Sequence, residues 1–439
     1  MKFFIKNLKP ILVWKENSSH YYIIFGATLV LIVFSFMRQR NLTNTRSRMI
    51  TVERLVEKGT FIHRSDADST PFKLSIDAIE VNGNIYSSKP PNYPLLMAAE
   101  SWLIFQLSGN HFYPHFKSYL RILTLLNQVF PYTITLLIVL LFAKDFTADK
   151  WTINYLLLAF SIGSLAFGYA VAINNHTVSA LLFFISFYLT YLVIYKQYQS
   201  ALLYFSIGFL SGFAASIDLP GLAFSVFFIF LLMRRHWKLS FWSILGLAIP
   251  LITSAAIFYS ISGSIKPFYL QGHLYHYSGS YWNNPGGLNS LDESKWAYLF
   301  NITLGHHGLF SITPVLILTL ISFINTTIRK QQFLKKLTWG IMFCSLAVFS
   351  FVMVKTDNYG GYCIGLRWFI LFMPMWVFLA LPTIMTWRKK LAGRITLSSL
   401  LLLSLPAVAQ ALYWDPYVRG WFELWYFNIS GLGNIYPTI

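Results

Sequence analysis

The sequence predicts an all-α integral membrane protein with about eleven transmembrane helices, ten to thirteen at the outside, and three observations predict it. Of its 439 residues 56% are hydrophobic, 18% aromatic and only 11% charged, a balance that a water-soluble globule does not carry. Apolar runs of about 20 residues, the length that crosses a bilayer core of about 30 Å, recur along the chain. Most basic residues stand at the ends of those runs, so the net charge of +18 reflects membrane topology and no nucleic-acid partner is expected. The whole of residues 1–439 is expected to form a single polytopic domain.

In chain order the candidate spans are 20–37, 120–143, 151–173, 177–195, 201–217, 219–233, 239–262, 308–328, 337–354, 368–387 and 395–413. The first follows Lys2, Lys6, Lys9 and Lys15 and has no small-residue cleavage site before Arg38, the pattern of an uncleaved anchor with a cytoplasmic N-terminus. Alternation from there places 18 basic residues inside, among them Lys144, Lys150, Arg234, Arg235, Lys335, Arg388 and Lys389. Beyond residue 122 only Lys266, Lys295, Lys355, Arg367 and Arg419 fall outside. The stretch Tyr93 to Leu107 is left as a juxtamembrane or re-entrant helix, because a span there would carry Arg234, Arg235 and Arg388 to the outer side. An ordinary span with one later run miscounted is the plainer alternative.

Residues 38–119 form an outer loop far longer than connections in a compact bundle, and long loops tend to carry function. Within it SRMITVERLVEKG sets Met49, Val52, Leu55 and Val56 on one helical face, Glu53, Arg54, Glu57 and Lys58 opposite, and Gly59 as a stop. This helix is expected to lie along the membrane surface. The stretch IDAIEVNGNIYSSKPPNYP, Ile76 to Pro94, follows as an ordered loop with two carboxylates, Asp77 and Glu80, an Asn-Gly turn and two helix-breaking prolines. Asp66 and Asp68 are the other acids of the loop and suit a solvated role.

The remaining polar residues collect in turns assigned to the same side. Asn174, Asn175 and His176 separate two runs, Asp218 precedes Pro220, and His306 and His307 open the run LFSITPVLIL. Asp357 to Arg367 reads DNYGGYCIGLR before another run. Ionisable residues are expensive in hydrocarbon and are usually kept for a site, which makes this one-sided collection a functional signal. A second outer loop covers 263–307, and the tail 414–439 carries aromatics that suit an interfacial belt. His273 and His276 have a helical i, i+3 spacing but no evident third ligand, and the two cysteines, Cys344 and Cys363, make neither framework nor cluster, so no metal is expected.

YSSKPPNYPLL closely resembles the YSDKPP-type loop of bacterial membrane glycosyltransferases of the GT-C superfamily, which include the protein O-mannosyltransferase, aminoarabinose transferase and Rgt-like groups. LGHHGLFSITPVLIL and NYGGYCIGLRWFILFMP are similar to further motifs of those enzymes, with Leu366 where proline is common. Many members carry Asp-Glu after the first helix, where this chain has Asn44-Thr45-Arg46; members lacking that pair use an Asp placed like Asp77. The resemblance implies a GT-C type fold in the bacterial inner (plasma) membrane, with an extracytoplasmic active site.

It further implies an inverting transferase that takes a sugar from a polyprenyl-phosphate donor and gives it to a lipid, glycan or protein acceptor, without a cofactor. Asp77 is then the catalytic base, a role worth roughly 10²- to 10⁴-fold. Lys89 and Arg367, with His306 and His307 as auxiliary donors, meet the leaving phosphate, Arg by a bidentate fork and Lys as a point charge. Tyr86, Asn174, His176, Asp218, Asp357 and Tyr359 are the substrate-binding candidates. Plainer roles stand beside these: Asp77 as a turn residue, Lys89 snorkelling at the interface, the histidines as satisfied interface groups. A transporter or lipid flippase is the strongest rival, and a non-catalytic scaffold the next.

Overall fold

The computed structural model describes residues 18–37, 43–63, 75–286, 289, 292–328, 332–356, 358–414, 416 and 419–429. Asp66, Asp68, Asp357 and the lysines that precede the first span lie outside the described residues. Helices make up about three quarters of the described residues, with one two-stranded sheet.

Among the described residues seven helices are long and apolar enough to cross a membrane: Ser19–Met37, Phe116–Lys144, Asn175–Ile194, Trp237–Ser262, Leu337–Lys355, Arg367–Trp387 and Leu391–Tyr413. This is the architecture of a multi-pass, all-helical membrane protein. Ala201–Ile217 is a shorter apolar helix of 17 residues. Asn92–Ser108, the stretch whose side was ambiguous, is a single helix of 17 residues and is not among the seven.

Beyond these seven, three of the expected spans are interrupted or begin irregularly. Residues 151–173 divide into Lys150–Phe160 and Leu165–Tyr169. The break holds Gly163, packed so tightly that a Cβ there would stand 2.6 Å from Leu401. Residues 308–328 divide at Thr313, because Pro314 has no N–H to continue the ladder. Residues 219–233 begin as a 3₁₀ turn, Leu219–Gly221, and become α-helical only at Leu222. Apolar periodicity reports burial in lipid or protein and does not register such interruptions.

The spans form an inner and an outer set. Asn175–Ile194 and Arg367–Trp387 have most of their residues buried, whereas Trp237–Ser262 and Ser19–Met37 bury fewer than a third of theirs. The exposed side chains are large and apolar, among them Phe25, Leu29, Phe241, Ile252 and Phe343, the surface that acyl chains cover. At the centre Phe142 stacks on Phe378 with centroids 4.0 Å apart, and Phe184 and Phe187 close around the pair.

Close helix contacts use small residues, as expected where lipid removes the hydrophobic driving force between helices. Ala201–Ile217 lies against Trp237–Ser262 so closely that a Cβ at Gly208 would come within 1.9 Å of the Ser243 carbonyl oxygen. At Gly246 the corresponding distance to the Phe205 carbonyl oxygen is 2.3 Å.

The loop before these spans is built, not extended. Residues Thr43–Lys58 form the expected helix, and Gly59, at φ 65°, ends it. Met49 and Val52 are buried as expected, but Arg48 and Arg54 are buried too. Arg54 donates to the His63 carbonyl at 3.2 Å, because the segment after Gly59 folds back over the face expected to meet solvent.

Candidate functional site

The stretch expected as an ordered loop is a β-hairpin. Strand β1, Ala78–Val81, pairs antiparallel with β2, Asn84–Ser87, in the register Ala78↔Ser87 to Val81↔Asn84. Asn82 and Gly83 join them at φ 52° and 78°, the positive values that a tight two-residue hairpin turn demands. The base of the hairpin is tied to the helix Thr43–Lys58. Ser88 N–H and Ser47 Oγ both donate to the Asp77 carbonyl, at 3.1 and 2.8 Å, and Ser47 Oγ lies 2.7 Å from Ser87 Oγ.

This closure brings together two side chains twelve positions apart in sequence. Lys89 Nζ lies 2.9 Å from Asp77 Oδ1, with the side chains 17% and 13% exposed. Asp77 Oδ2 is buried and has no hydrogen-bond partner among the described residues. Burial pushes the Lys89 ammonium down to about 8; Asp77 holds it up, and the Arg367 and Arg48 charges push it further down. Three cations and one carboxylate therefore share a field.

Arg48 is the member of this group that sequence reading missed. Its guanidinium donates to Asn175 Oδ1 at 2.6 Å and to the Asn44 carbonyl at 3.1 Å, and lies 5.8 Å from the centre of the Tyr93 ring. An Arg on a surface helix ordinarily faces water. Its partner Asn175 lies 127 positions away, so no local signal in the sequence marks it.

Arg367 comes from the far end of the chain. The turn before it has Gly360, Gly361 and Gly365 at φ 79°, 81° and 67°, a left-handed conformation that side chains resist. A Cβ on Gly360 would stand 3.3 Å from Arg367 Nε. The Arg367 charge acts on both Lys89 and His176. His176 Nδ1 is in turn 2.7 Å from Asp218 Oδ2, both side chains nearly buried. Asp77, Lys89, Arg367, His176 and Asp218 are thus neighbours of one polar region.

Tyr86 joins them. With Lys89, Ser87, Thr51, Phe61, Pro91, Pro94, Ile261 and Phe268 it lines a small pocket whose walls are mostly apolar. The second outer loop covers the hairpin. Phe268 packs on Ile79, Trp282 Nε1 donates to the Ile76 carbonyl at 2.9 Å, and the Tyr275 phenol is raised by burial, then by Asp77.

Asn174 has a different position from its neighbours. Its Oδ1 accepts from Thr177 N–H at 2.9 Å as an N-cap, and its Nδ2 donates to Gln128 Oε1 at 2.9 Å and to the Tyr169 and Ala172 carbonyls. Gln128 lies on a π-helical turn, Leu125–Val129, that rotates it inward to donate to Tyr93 Oη and the Asn174 carbonyl, each at 2.8 Å. These bonds make Asn174 a strut of the site.

His306, His307 and Tyr359 are drawn elsewhere. His306 Nδ1 is 2.5 Å from His307 Nδ1, His307 stacks on the Tyr359 ring with centroids 4.6 Å apart, and Tyr359 donates to Glu293 Oε2 at 2.5 Å. His307 Nε2 faces Glu423 Oε2 at 3.6 Å. These contacts lie behind the glycine-rich turn, not against Lys89. His273 and His276 are exposed, and among the described residues no three His, Cys, Asp or Glu side chains converge as metal ligands.

Comparison of the chain with protein-family models, with curated proteins and with solved structures gave no match.

Proposed function

We propose that the protein is a membrane glycosyltransferase that moves a sugar from a polyprenyl-phosphate donor to a lipid, glycan or protein acceptor at the outer face of the bacterial inner membrane. The observation that carries the reading is the Asp77–Lys89 pair, held at 2.9 Å inside the field of Arg48 and Arg367, with Asp77 Oδ2 unengaged. A clustered set of cations with an apolar pocket beside it suits an amphiphilic anion. A lone carboxylate oxygen among them suits a proton acceptor.

In the reaction the acceptor hydroxyl gives its proton to Asp77 Oδ2 while its oxygen attacks the anomeric carbon. The bond from that carbon to the phosphate oxygen breaks, and its electron pair leaves with the polyprenyl phosphate. Lys89, Arg367 and Arg48 meet the charge that develops there. The incoming phosphate also draws Lys89 from Asp77, which raises the basicity of the carboxylate at the moment it is needed. Our reading takes the seven long helices and the four shorter or broken runs as eleven crossings, with this site on the outer side.

The breaks at Gly163, Asp218 and Thr313 favour a second reading, a transporter or lipid flippase, since such proteins bind cargo at interrupted helices. One experiment separates the two. Purified protein is incubated in detergent with a polyprenyl-phosphate sugar and lipid extract, and products are followed by mass spectrometry. Sugar release from the donor that Asp77→Asn abolishes supports the transferase; an unchanged donor that crosses proteoliposome membranes supports the transporter.

A further inference from the structure

The glycine-rich turn is gripped from two sides by groups that the proposed chemistry does not use. On one side His307 stacks on Tyr359 with an interplanar angle of 18°, and His306 meets the same ring edge-on. On the other, the C-terminal segment lies along Tyr362 to Ile364. Ile364 N–H donates to the Pro416 carbonyl at 3.0 Å, and the Arg419 guanidinium lies 5.3 Å from the Tyr362 ring centre. Gln410 holds that segment in place, donating to the Arg419 carbonyl at 2.9 Å and accepting from Trp421 N–H at 2.6 Å. The two sides meet in one contact, His307 Nε2 with Glu423 Oε2 at 3.6 Å, both side chains wholly buried.

We propose that Glu423 and His307 form a positioning pair that locks the glycine-rich turn between the bundle and the C-terminal helix, and so holds Arg367 beside Lys89. The inference of an effect on donor binding rests on the transferase reading; the lock itself does not.

The charged and titratable groups around the pair are Arg419 on the same segment, His306 beside His307, Cys363 on the turn, and Tyr359 with Glu293 behind the rings. Arg367 faces Cys363 from the other side. Burial pushes the Glu423 carboxyl up to about 8 against the pull of Arg419, and pushes both histidines down, His306 to about 4. At neutral pH the pair therefore holds a carboxylic acid and neutral imidazoles. The two histidines share one proton between their Nδ1 atoms, 2.5 Å apart, whereas Glu423 Oε2 and His307 Nε2 stand in contact at 3.6 Å without a hydrogen bond, and neither has another partner among the described residues. Loss of the Glu423 proton leaves an unbonded carboxylate buried against a neutral imidazole, which favours opening of the segment. Glu423 has a raised value when folded, so its contribution is full below the ordinary carboxylate range and is lost as pH rises through about 8.

Cys363 is a built-in reporter. Its thiol is buried and donates to the Tyr359 and Gly365 carbonyls, each at 3.1 Å, so a thiol reagent reaches it only when the turn opens. The full-length protein carrying Cys344→Ala is treated in detergent with a maleimide at pH 6.5 and 9.5, each rate divided by that of free cysteine at the same pH. Binding of radiolabelled polyprenyl phosphate is measured in parallel.

The wild-type residue at 423 is expected to protect Cys363 at pH 6.5 and to lose about tenfold of that protection at pH 9.5. Glu423→Gln, which keeps a donor and cannot ionise, is expected to protect at both; Glu423→Ala at neither. Polyprenyl-phosphate binding should fall wherever protection falls. Should Glu423→Ala fail to fold, the pH series and Glu423→Gln decide. A Cys363 rate that ignores both pH and Glu423 overturns the lock, as does a Gln variant as open as wild type at pH 9.5. Protection that behaves as expected with no polyprenyl phosphate bound in any form leaves the lock standing and removes the transferase reading.

Discussion

Lys89 Nζ lies 2.9 Å from Asp77 Oδ1, and the hairpin between them sets that distance. The pairing depends on a turn whose two central residues have positive φ. Gly83, at φ 78°, has open space around it, so a side chain there meets strain and no clash. Gly83→Val is expected to cost roughly 1–2 kcal/mol locally and to lower turnover through the Asp77–Lys89 geometry with little change in global stability. Heat unfolding followed beside activity checks it. A large fall in the unfolding midpoint would show that the hairpin supports the whole fold.

Lys89 gives the site an alkaline limit. Its value when folded is pushed down to about 8, below that of a free lysine, so it sheds its proton early as pH rises. For stability the sign is favourable: the unfolded chain holds the proton longer, and stability rises with pH between about 8 and the ordinary lysine range. Binding of an anion behaves oppositely, because it needs the charged form. Affinity for polyprenyl phosphate should fall about tenfold per unit above pH 8, and Lys89→Arg, permanently charged, should flatten that limb of the profile. A titration of binding from pH 6 to 10 reads both.

Arg367 is expected to act through its fork. Arg367→Lys keeps the charge and loses the two parallel donors, so it should harm donor binding nearly as much as Arg367→Ala, with protein amount in the membrane unchanged. Full binding in the Lys variant would reduce its part to a bare charge.

How much of this was legible in the sequence differs by the kind of signal. Spans such as 177–195 and 239–262 were readable because lipid-facing and buried helices are both apolar along their length. The stretch that holds Asp77 and Lys89 was readable as ordered because Asn82-Gly83 and Pro90-Pro91 within it carry strong local turn chemistry, although the strands themselves went unread. The burial of Arg48 was not readable: its partner Asn175 is 127 positions away, and nothing local distinguishes a buried arginine from a solvated one. The same holds for His307, whose neighbour Glu423 lies at the other end of the chain, in a tail read only as an aromatic belt. Pairings of that range depend on the assembled bundle, which no window of sequence contains.

The side of the membrane is open to a direct check. Single cysteines near Arg234, Lys335 and Arg388 should resist an impermeant thiol reagent applied from outside, and cysteines near Asp218 and Arg367 should react. Labelling near Arg388 from outside would invert the later frame and require Asn92–Ser108 to span the membrane.

The most direct measurement separates charge from shape at Asp77. Asp77→Asn keeps the size and most of the hydrogen bonding but cannot take a proton, and asparagine suits a turn as well as aspartate does. Turnover of a polyprenyl-phosphate sugar by Asp77→Asn, measured beside Asp66→Asn, Asp68→Asn and Glu80→Gln, should fall about 10²-fold or more, with donor binding retained and the three companions near the native rate. Native turnover in Asp77→Asn with a loss in one companion would contradict Asp77 as the base.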